Sequence, residues 1–233
     1  MTPSWPTMAK PPGPIFSNGW QLFAVAFTSG SPGHLEIMSY SDAAKRWEAS
    51  NYVSLEVTAT FSDKSTAAIE GDWIGARVLV GGIDGAQYLR VYEFGTGGAP
   101  LELFPYAQWP NVSAVRVAYL NGWPVVAILS ASTLTVLKHN GSSWDVVFGP
   151  LSTVASFDLS VRGAMLMIAS SDSSKVTLDA FDGNVWHALP FYAQVGCNVS
   201  NVELASAPER VGLVWSEYCP TPITTTMKTV YIQ

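Results

Sequence analysis

The stretch HNGSSWDVV, residues 139–147, and its counterpart FDGNVWHAL, residues 181–189, decide how this chain is expected to fold. Each stretch has a polar turn, then a tryptophan, then a short apolar run. The two tryptophans, Trp144 and Trp186, lie 42 residues apart in the sequence. A period of this size is typical of proteins in which one supersecondary unit repeats along the chain.

The segments between such turns have the pattern of short β-strands. Apolar or alternating runs recur between clusters of Gly, Ser, Asn, Asp and Pro, and none of them shows a sustained helical period. Examples are QLFAVAF (21–27), ARVLVGG (76–82), PVVAIL (124–129) and AMLMIAS (164–170). Val, Thr, Tyr and Trp are common in these runs, as they are in half-buried strands. The sequence therefore predicts an all-β protein.

Four such strands make one repeating unit. The clearest copy is VRVAYL-NG-WPVVAILSAS-TLTVLKH-NGSS-WDVVF at 115–148, and SFDLSV-RG-AMLMIASSDSS-KVTLDAF-DGNV-WHALPF at 156–191 follows it. Earlier copies are less regular, and the last copy, from about residue 209, stops at its third strand. The unit therefore predicts successive four-stranded antiparallel sheets.

The N-terminal segment is expected to complete the incomplete last copy. Trp5 lies 42 residues before Trp47, which is the spacing of the repeat. The positions that mark fourth strands are Trp5, Trp47, Leu101, Trp144 and Trp186. The sequence thus predicts one domain, residues 1–233, that forms a five-bladed β-propeller of four-stranded blades. Its ring is closed by the N-terminal strand joining the last blade, which removes the open sheet edges.

The repeated tryptophans have two interpretations. A Trp that follows a tight Gly/Asn/Asp turn can pack between neighbouring sheets and fill the wide outer part of a blade. Alternatively, its ring can stack on a ligand. The sequence favours the packing interpretation and leaves the second one open.

Composition excludes several classes of protein. The chain is 48% apolar and 13% charged, so it can bury a large core. Its net charge of −6, with scattered Lys and Arg, predicts no nucleic-acid partner. No apolar run reaches the length of a membrane span, so no membrane partner is expected. Phosphate-binding and dinucleotide-binding motifs are missing, and the His and Cys residues lack metal-ligand spacing, so we expect neither a cofactor nor a metal. The oligomeric state stays open.

The two cysteines predict a disulfide and bear on location. Cys197 begins the crossing into the last repeat and Cys219 lies in that repeat's loop between its second and third strands, so both belong to one face. Three Asn-x-Ser sequences, beginning at Asn111, Asn140 and Asn198, accompany them. Both features suit a secreted or extracellular protein, with the cytoplasm as the alternative.

A second internal similarity points to a binding face. YAQWPNVS at 106–113 matches YAQVGCNVS at 192–200, and both segments cross from the fourth strand of one sheet to the first strand of the next. Such crossings share a face with the loops between second and third strands, where binding residues are commonly found. The predicted ligand-binding residues are Tyr106, Gln108, Trp109, Tyr192, Gln194 and Tyr218. Tyr-Ala-Gln could equally be a motif that links blades.

The strand layout resembles that of fungal fucose-lectin-like propellers. In that family each site uses an Arg, a Glu and aromatic residues between adjacent blades. Here YLRVYEF (88–94) carries Arg90, Tyr92 and Glu93, whereas the corresponding strands LEIMSY, LTVLKH and VTLDAF lack the Arg. The resemblance implies at most one such site, with Arg90 and Glu93 as a charged pair between blades and the candidates for any catalysis. NGSSW and DGNVW also resemble the Asp-box turn of sialidase-like propellers, without its leading Ser-x-Asp.

Three functions are compatible with these observations. The first is a lectin-like module that binds a glycan through aromatic and amide side chains. The second is an enzyme that promotes cyclisation or pericyclic chemistry on a small apolar molecule, as in fungal hetero-Diels–Alderases that resemble these lectins. The third is a protein-interaction propeller. A site repeated in several blades would favour the lectin, and one asymmetric site would favour the enzyme, because the fold alone does not decide.

Overall fold

The structure is a computed structural model that describes residues 15–17, 21–28, 33–49, 55–57, 66–70, 77–83, 88–95, 100–104, 109, 112–194, 197–207, 209–220 and 223–232. The chain divides into two compact units, Met1–Pro110 and Asn111–Gln233, and each is considered by itself. The prediction of a single domain stays a prediction. The segment around Trp5 lies outside the described residues, so the expected closing strand does as well.

The first unit contains two antiparallel sheets. Sheet 1 has the strand order β1-β2-β3-β4, and β5 pairs with the other half of β3. Sheet 2 has the order β6-β7-β8-β9. The strands of sheet 1 are β1 (Ile15–Ser17), β2 (Leu22–Thr28), β3 (Gly33–Ser41), β4 (Arg46–Ala49) and β5 (Leu55–Val57). The strands of sheet 2 are β6 (Thr66–Glu70), β7 (Arg77–Ile83), β8 (Leu89–Phe94) and β9 (Leu101–Phe104).

The second unit contains two four-stranded sheets and one three-stranded sheet, each in sequential order. Sheet 3 comprises β10 (Val112–Leu120), β11 (Trp123–Ser130), β12 (Thr133–His139) and β13 (Trp144–Leu151). Sheet 4 comprises β14 (Ser156–Arg162), β15 (Met165–Ser171), β16 (Lys175–Phe181) and β17 (Trp186–Gln194). Sheet 5 comprises β18 (Asn198–Ala207), β19 (Arg210–Pro220) and β20 (Ile223–Ile232). The prediction of an all-β protein built from four-stranded sheets is confirmed.

The described residues contain no helix that is long and apolar enough to cross a membrane.

The core of the second unit lies between its sheets. One buried cluster joins sheets 3 and 4 and includes Ala127, Leu134 and Ile168. Another joins sheets 4 and 5 and includes Leu178 and Leu213. Each sheet is therefore buried through side chains on alternating positions of its middle strands.

The turns before Trp144 and Trp186 are closed by their own polar side chains. The Asn140 side-chain oxygen accepts hydrogen bonds from the backbone N–H groups of Ser142 and Ser143, at 3.1 and 2.9 Å. The Asp182 carboxylate does the same for the backbone two and three residues later, at 2.8 and 2.9 Å. Gly141 and Gly183 follow with φ of 100° and 104°, a region that favours glycine. The repeated Asn/Asp-Gly pair is thus a turn-forming device.

Trp186 shows why the aromatic residue follows that turn. Its ring lies 4.5 Å from Phe148 of sheet 3 and 5.0 Å from Phe181 of its own sheet, measured between ring centroids. Its indole N–H donates to the backbone carbonyl of Val147. Trp186 therefore joins the outer strands of two neighbouring sheets, in agreement with the packing interpretation.

Polar side chains tie together the first strands of sheets 3, 4 and 5. The Arg116 Nε lies 2.6 Å from Oδ1 of Asp158, and Oδ2 of Asp158 accepts from the backbone N–H of Leu204 at 2.8 Å. The hydroxyls of Ser160 and Ser206 lie 2.7 Å apart. These contacts explain why otherwise apolar first strands carry charged and hydroxyl residues.

Candidate functional site

One end of the second unit carries the loops between second and third strands together with the crossings from one sheet to the next; we call it the crossing end. Two crossings are anchored in the same way. The backbone N–H of Val154 donates to the carbonyl of Ser132 at 2.9 Å, and that of Val199 donates to the carbonyl of Ser173 at 3.2 Å. Both valines are buried. The two crossings of the second unit are therefore held by the same kind of backbone hydrogen bond.

A disulfide adds a covalent link at this end. Cys197 and Cys219 are bonded, with their Cα atoms 4.6 Å apart. The link joins the residue that precedes β18 to Cys219, which follows Tyr218 near the end of β19. Cys219 was expected in the loop between the second and third strands, but β19 extends through it and pairs with β20, so Cys219 is a strand residue.

The predicted ligand-binding residues are only partly within the described residues. Tyr106 and Gln108 lie outside them, and Trp109 is half-buried in the first unit. Tyr192 lies opposite Thr177 and Gln194 opposite Lys175 in the β16–β17 register, which puts both at the crossing end. Tyr218 is exposed and lies opposite Asn198 on β18. Tyr192, Gln194 and Tyr218 thus share the crossing end, although they belong to different sheets.

The structure does not bring Arg90 and Glu93 together. Strand alternation places them on opposite sides of β8, and each forms an ion pair on its own side. Arg90 Nη1 lies 3.0 Å from Oε1 of Glu102, and Glu93 Oε2 lies 3.6 Å from Nη1 of Arg77. Tyr92, on the same side as Arg90, is buried. One side of sheet 2 therefore carries an Arg, an aromatic ring and a carboxylate together, namely Arg90, Tyr92 and Glu102.

Sequence reasoning missed Asp179, a half-buried carboxylate in the middle of β16. It lies on the side of sheet 4 that packs against sheet 3, two residues before Phe181 of the joint aromatic cluster. Burial raises the pKa of the Asp179 carboxyl above its usual value. No hydrogen-bond or ion-pair partner is found for it among the described residues. The signal was present in VTLDAF, where a charged residue replaces the apolar one of the other third strands.

The other perturbed carboxylates belong to turns. Hydrogen bonds from Val185, His187 and Asn184 lower the pKa of Asp182 to about 2. The Ser174 hydroxyl, which bonds to Asp172, lowers the pKa of that carboxyl. These groups hold turns together, whereas the charge of Asp179 is compensated by none of the described residues. Within the described ranges, no group of three or more His, Cys, Asp or Glu residues is placed to hold a metal ion.

The chain was compared with protein families, curated proteins and solved structures. No protein family model matches the sequence, and no curated protein matches it. Solved structures do match. SapL1 lectin in complex with α-methyl fucoside is 12% identical, with 95% of this chain and 80% of the lectin covered and a TM-score of 0.62.

Aleuria aurantia lectin, in a mutant bound to Fucα1-6GlcNAc, is also 12% identical, with 93% of this chain and 76% of the lectin covered and a TM-score of 0.59. A sialidase of Trypanosoma rangeli is 9% identical over 94% of this chain and 44% of its own, with a TM-score of 0.55. Aleuria aurantia lectin is a fungal lectin with a six-bladed β-propeller fold. The chain is therefore similar in fold to β-propellers, and fungal fucose-binding lectins are among the structures that it resembles.

Proposed function

We propose that this protein is a lectin-like β-propeller that binds a glycan. The observation that carries the proposal is the likeness in fold to fucose-binding lectins over nearly the whole chain, at TM-scores of 0.59 and 0.62. The anchored crossing end, with its aromatic and amide residues, suits sugar binding, because a sugar needs stacking area and hydrogen bonds and little charge. The disulfide supports a secreted location.

The proposal includes a ring of five blades. The chain matches 81% of the length of the six-bladed lectin, which is close to five-sixths of it. Sheets 1 to 4 have four or more strands each, whereas sheet 5 has three among the described residues. The segment around Trp5 would supply the fourth strand of sheet 5, as the spacing from Trp5 to Trp47 predicts.

The ligand face of the proposed lectin in the second unit is the crossing end, where Tyr192 and Tyr218 would provide stacking area and Gln194 would orient ligand hydroxyls. Tyr106, Trp109 and Gln108 are proposed to play the same parts in the first unit. Arg90 remains a proposed contact to a ligand oxygen, with Glu102 as its carboxylate partner on the same side of β8. Glu93 is proposed as a more distant contributor, because it lies on the other side of that strand.

A binding experiment tests the function and the face together. The purified protein is titrated by calorimetry with a panel of monosaccharides and methyl glycosides that includes α-methyl-L-fucoside. We expect saturable binding of at least one sugar. The double variant Tyr106→Ala/Tyr192→Ala should lose that binding while its melting temperature stays near that of the parent protein.

Variants at the opposite end of the sheets serve as the control. Asn121→Ala and Asp182→Ala alter exposed turns between other strands and should bind normally. If no sugar binds, the lectin function is wrong. If the double variant binds as well as the parent while the turn variants do not, the function stands and the chosen face is wrong.

A further inference from the structure

We propose that the Asp179 carboxylate anchors one ligand site, on the side of sheet 4 that packs against sheet 3, by accepting hydrogen bonds from two hydroxyls of a bound sugar. This inference rests on the glycan-binding function proposed above and adds a residue to it. Thr177, two residues before Asp179 on the same strand, lies opposite Tyr192 of the proposed ligand face.

Asp179 occupies a position that is apolar in sheets 1 and 3. In sheets 1, 3 and 4 this position lies two residues before the one that faces the Trp of the fourth strand. Its counterparts are Met38 in sheet 1 and Leu137 in sheet 3, which are 1% and 3% exposed. A carboxylate in a position that the repeat reserves for core packing lowers stability. A residue that breaks the local rule in this way is expected at functional sites.

The pairing between β16 and the outer strand β17 is irregular beside this carboxylate. Asp179 lies opposite Ala188, and Thr177 lies opposite Tyr192. Between these pairs β16 has one residue, whereas β17 has three (189–191), so the ladder is interrupted by a bulge. Ala188 is exposed and small. A bulge and a small neighbour therefore lie beside a half-buried carboxylate, and bulges are frequent next to binding sites.

The surroundings of Asp179 fit a sugar. Phe181 and Trp186 lie on one side of it along the sheet, and Thr177, whose hydroxyl bonds to that of Ser170 at 3.0 Å, lies on the other. The site therefore combines an aromatic surface, a hydroxyl and a carboxylate without a described partner. Burial disfavours the charged form of the Asp179 carboxyl and raises its pKa. Hydroxyls of a sugar would supply the missing hydrogen bonds.

The position also limits where this site can form. Met38 and Leu137 cannot accept a hydrogen bond, so the equivalent positions of sheets 1 and 3 cannot form it. Sheet 4 alone, among the three compared, carries a carboxylate here.

Two variants test the proposal by binding and by stability. Asp179→Leu restores the residue type of the repeat, and Asp179→Asn keeps the shape without the charge. Calorimetric titration uses the same panel of monosaccharides and methyl glycosides as above. We expect both variants to lose roughly 10- to 100-fold in affinity, as the loss of a charge-assisted hydrogen bond predicts. Asp179→Leu should also melt higher than the parent, by roughly 2–4 °C.

Leu137→Asp is the matched control, because it places a carboxylate at the equivalent position of sheet 3. It should lower the melting temperature and leave the number of sugars bound per chain unchanged. Normal sugar binding by Asp179→Leu and Asp179→Asn would overturn the role of Asp179 and leave the lectin function standing. A lower melting temperature of Asp179→Leu would overturn it as well, since it would show that the carboxylate is structural. Absence of any sugar binding by the parent protein would reject the lectin function and the site together.

Discussion

Trp186 and Asp179 lie on the same side of sheet 4 yet contribute to stability in opposite directions. Trp186 fills the gap between two sheets and satisfies a backbone carbonyl, so its size and its N–H are both used. Asp179 lies two residues along β16 from the partner of Trp186 and has neither an apolar side chain nor a described partner. Neighbouring positions on one side of the sheet therefore hold one residue that stabilises the packing and one that weakens it.

The first prediction concerns Trp186. Trp186→Ala should lower the free energy of unfolding by about 3 kcal/mol, because it removes a large ring between Phe148 and Phe181. Trp186→Phe should cost about 1 kcal/mol, because the Val147 carbonyl loses its donor. Urea denaturation measures both. Trp123→Ala is the comparison, and its cost should be smaller because Trp123 is 43% exposed. Equal costs at the two positions would contradict the packing role.

The second prediction is a pH dependence. Asp179 has a higher pKa in the folded protein than in the unfolded chain, so the folded protein binds this proton more tightly. Its destabilising effect is complete above the raised pKa and is relieved as the pH falls through it. Asp179→Asn cannot titrate. The difference in the free energy of unfolding between variant and parent should therefore shrink as the pH is lowered from neutral towards 4.

Arg116, Lys138 and Asp145, the charged residues on the facing side of sheet 3, are the same in both proteins and cancel in that difference. Asp172 and Asp182 have lowered pKa values and act in the opposite direction, but they cancel for the same reason. A difference that is constant with pH would show that Asp179 is not buried as described.

At the scale of strands and turns, the sequence predicts regular elements well and irregular ones poorly. Alternation of apolar residues and the Asn/Asp-Gly turns locate the strands of sheets 3 and 4 closely, because both signals are local. The division of the fourth strand of sheet 1 into β4 and β5 was not predicted, nor was the bulge in β17. Both depend on how the outer strand follows its neighbour across the sheet, which no short window of sequence records.

The candidate site shows the same limit. The crossing motifs located Tyr192 and Gln194 at one end, since position in a repeat determines the end of a sheet. The proposed pairing of Arg90 with Glu93 fails because residues three apart on a strand face opposite sides. Asp179 was overlooked because its significance appears only when the third strands are aligned by their register.

The third prediction concerns the disulfide that links the start of β18 to the end of β19. Cys197 and Cys219 are 22 residues apart, so removal of the bond should cost about 3 kcal/mol in the chain-entropy model. The double variant Cys197→Ser/Cys219→Ser should melt several degrees lower than the oxidised parent. Reduced parent protein should match the double variant. A thiol assay on the denatured, unreduced parent should detect no free thiol, and two free thiols per chain would contradict the bond.

At the scale of the whole molecule, the open question is what covers the last sheet. β20 is the outer strand of sheet 5, and ten of its residues pair with β19 on one side. Ile223 and Met227 are 78% and 77% exposed on it. A long edge strand that exposes apolar side chains is an aggregation hazard that folded proteins usually cover. The repeat spacing of Trp5 predicts that the N-terminal segment covers it.

The last prediction follows from that assignment. Deletion of residues 1–10 should lower the melting temperature and promote self-association, because the β20 edge would lack its fourth strand. Light scattering and thermal melting measure the two effects. Trp5→Ala would keep the backbone that is proposed to pair and would remove only the ring, so it should lower the melting temperature without promoting association. A truncated protein that stays monodisperse and melts with the parent would show that another part of the chain, or nothing, covers β20. The ring would then need a different closure, and the five-bladed arrangement would lose its main support.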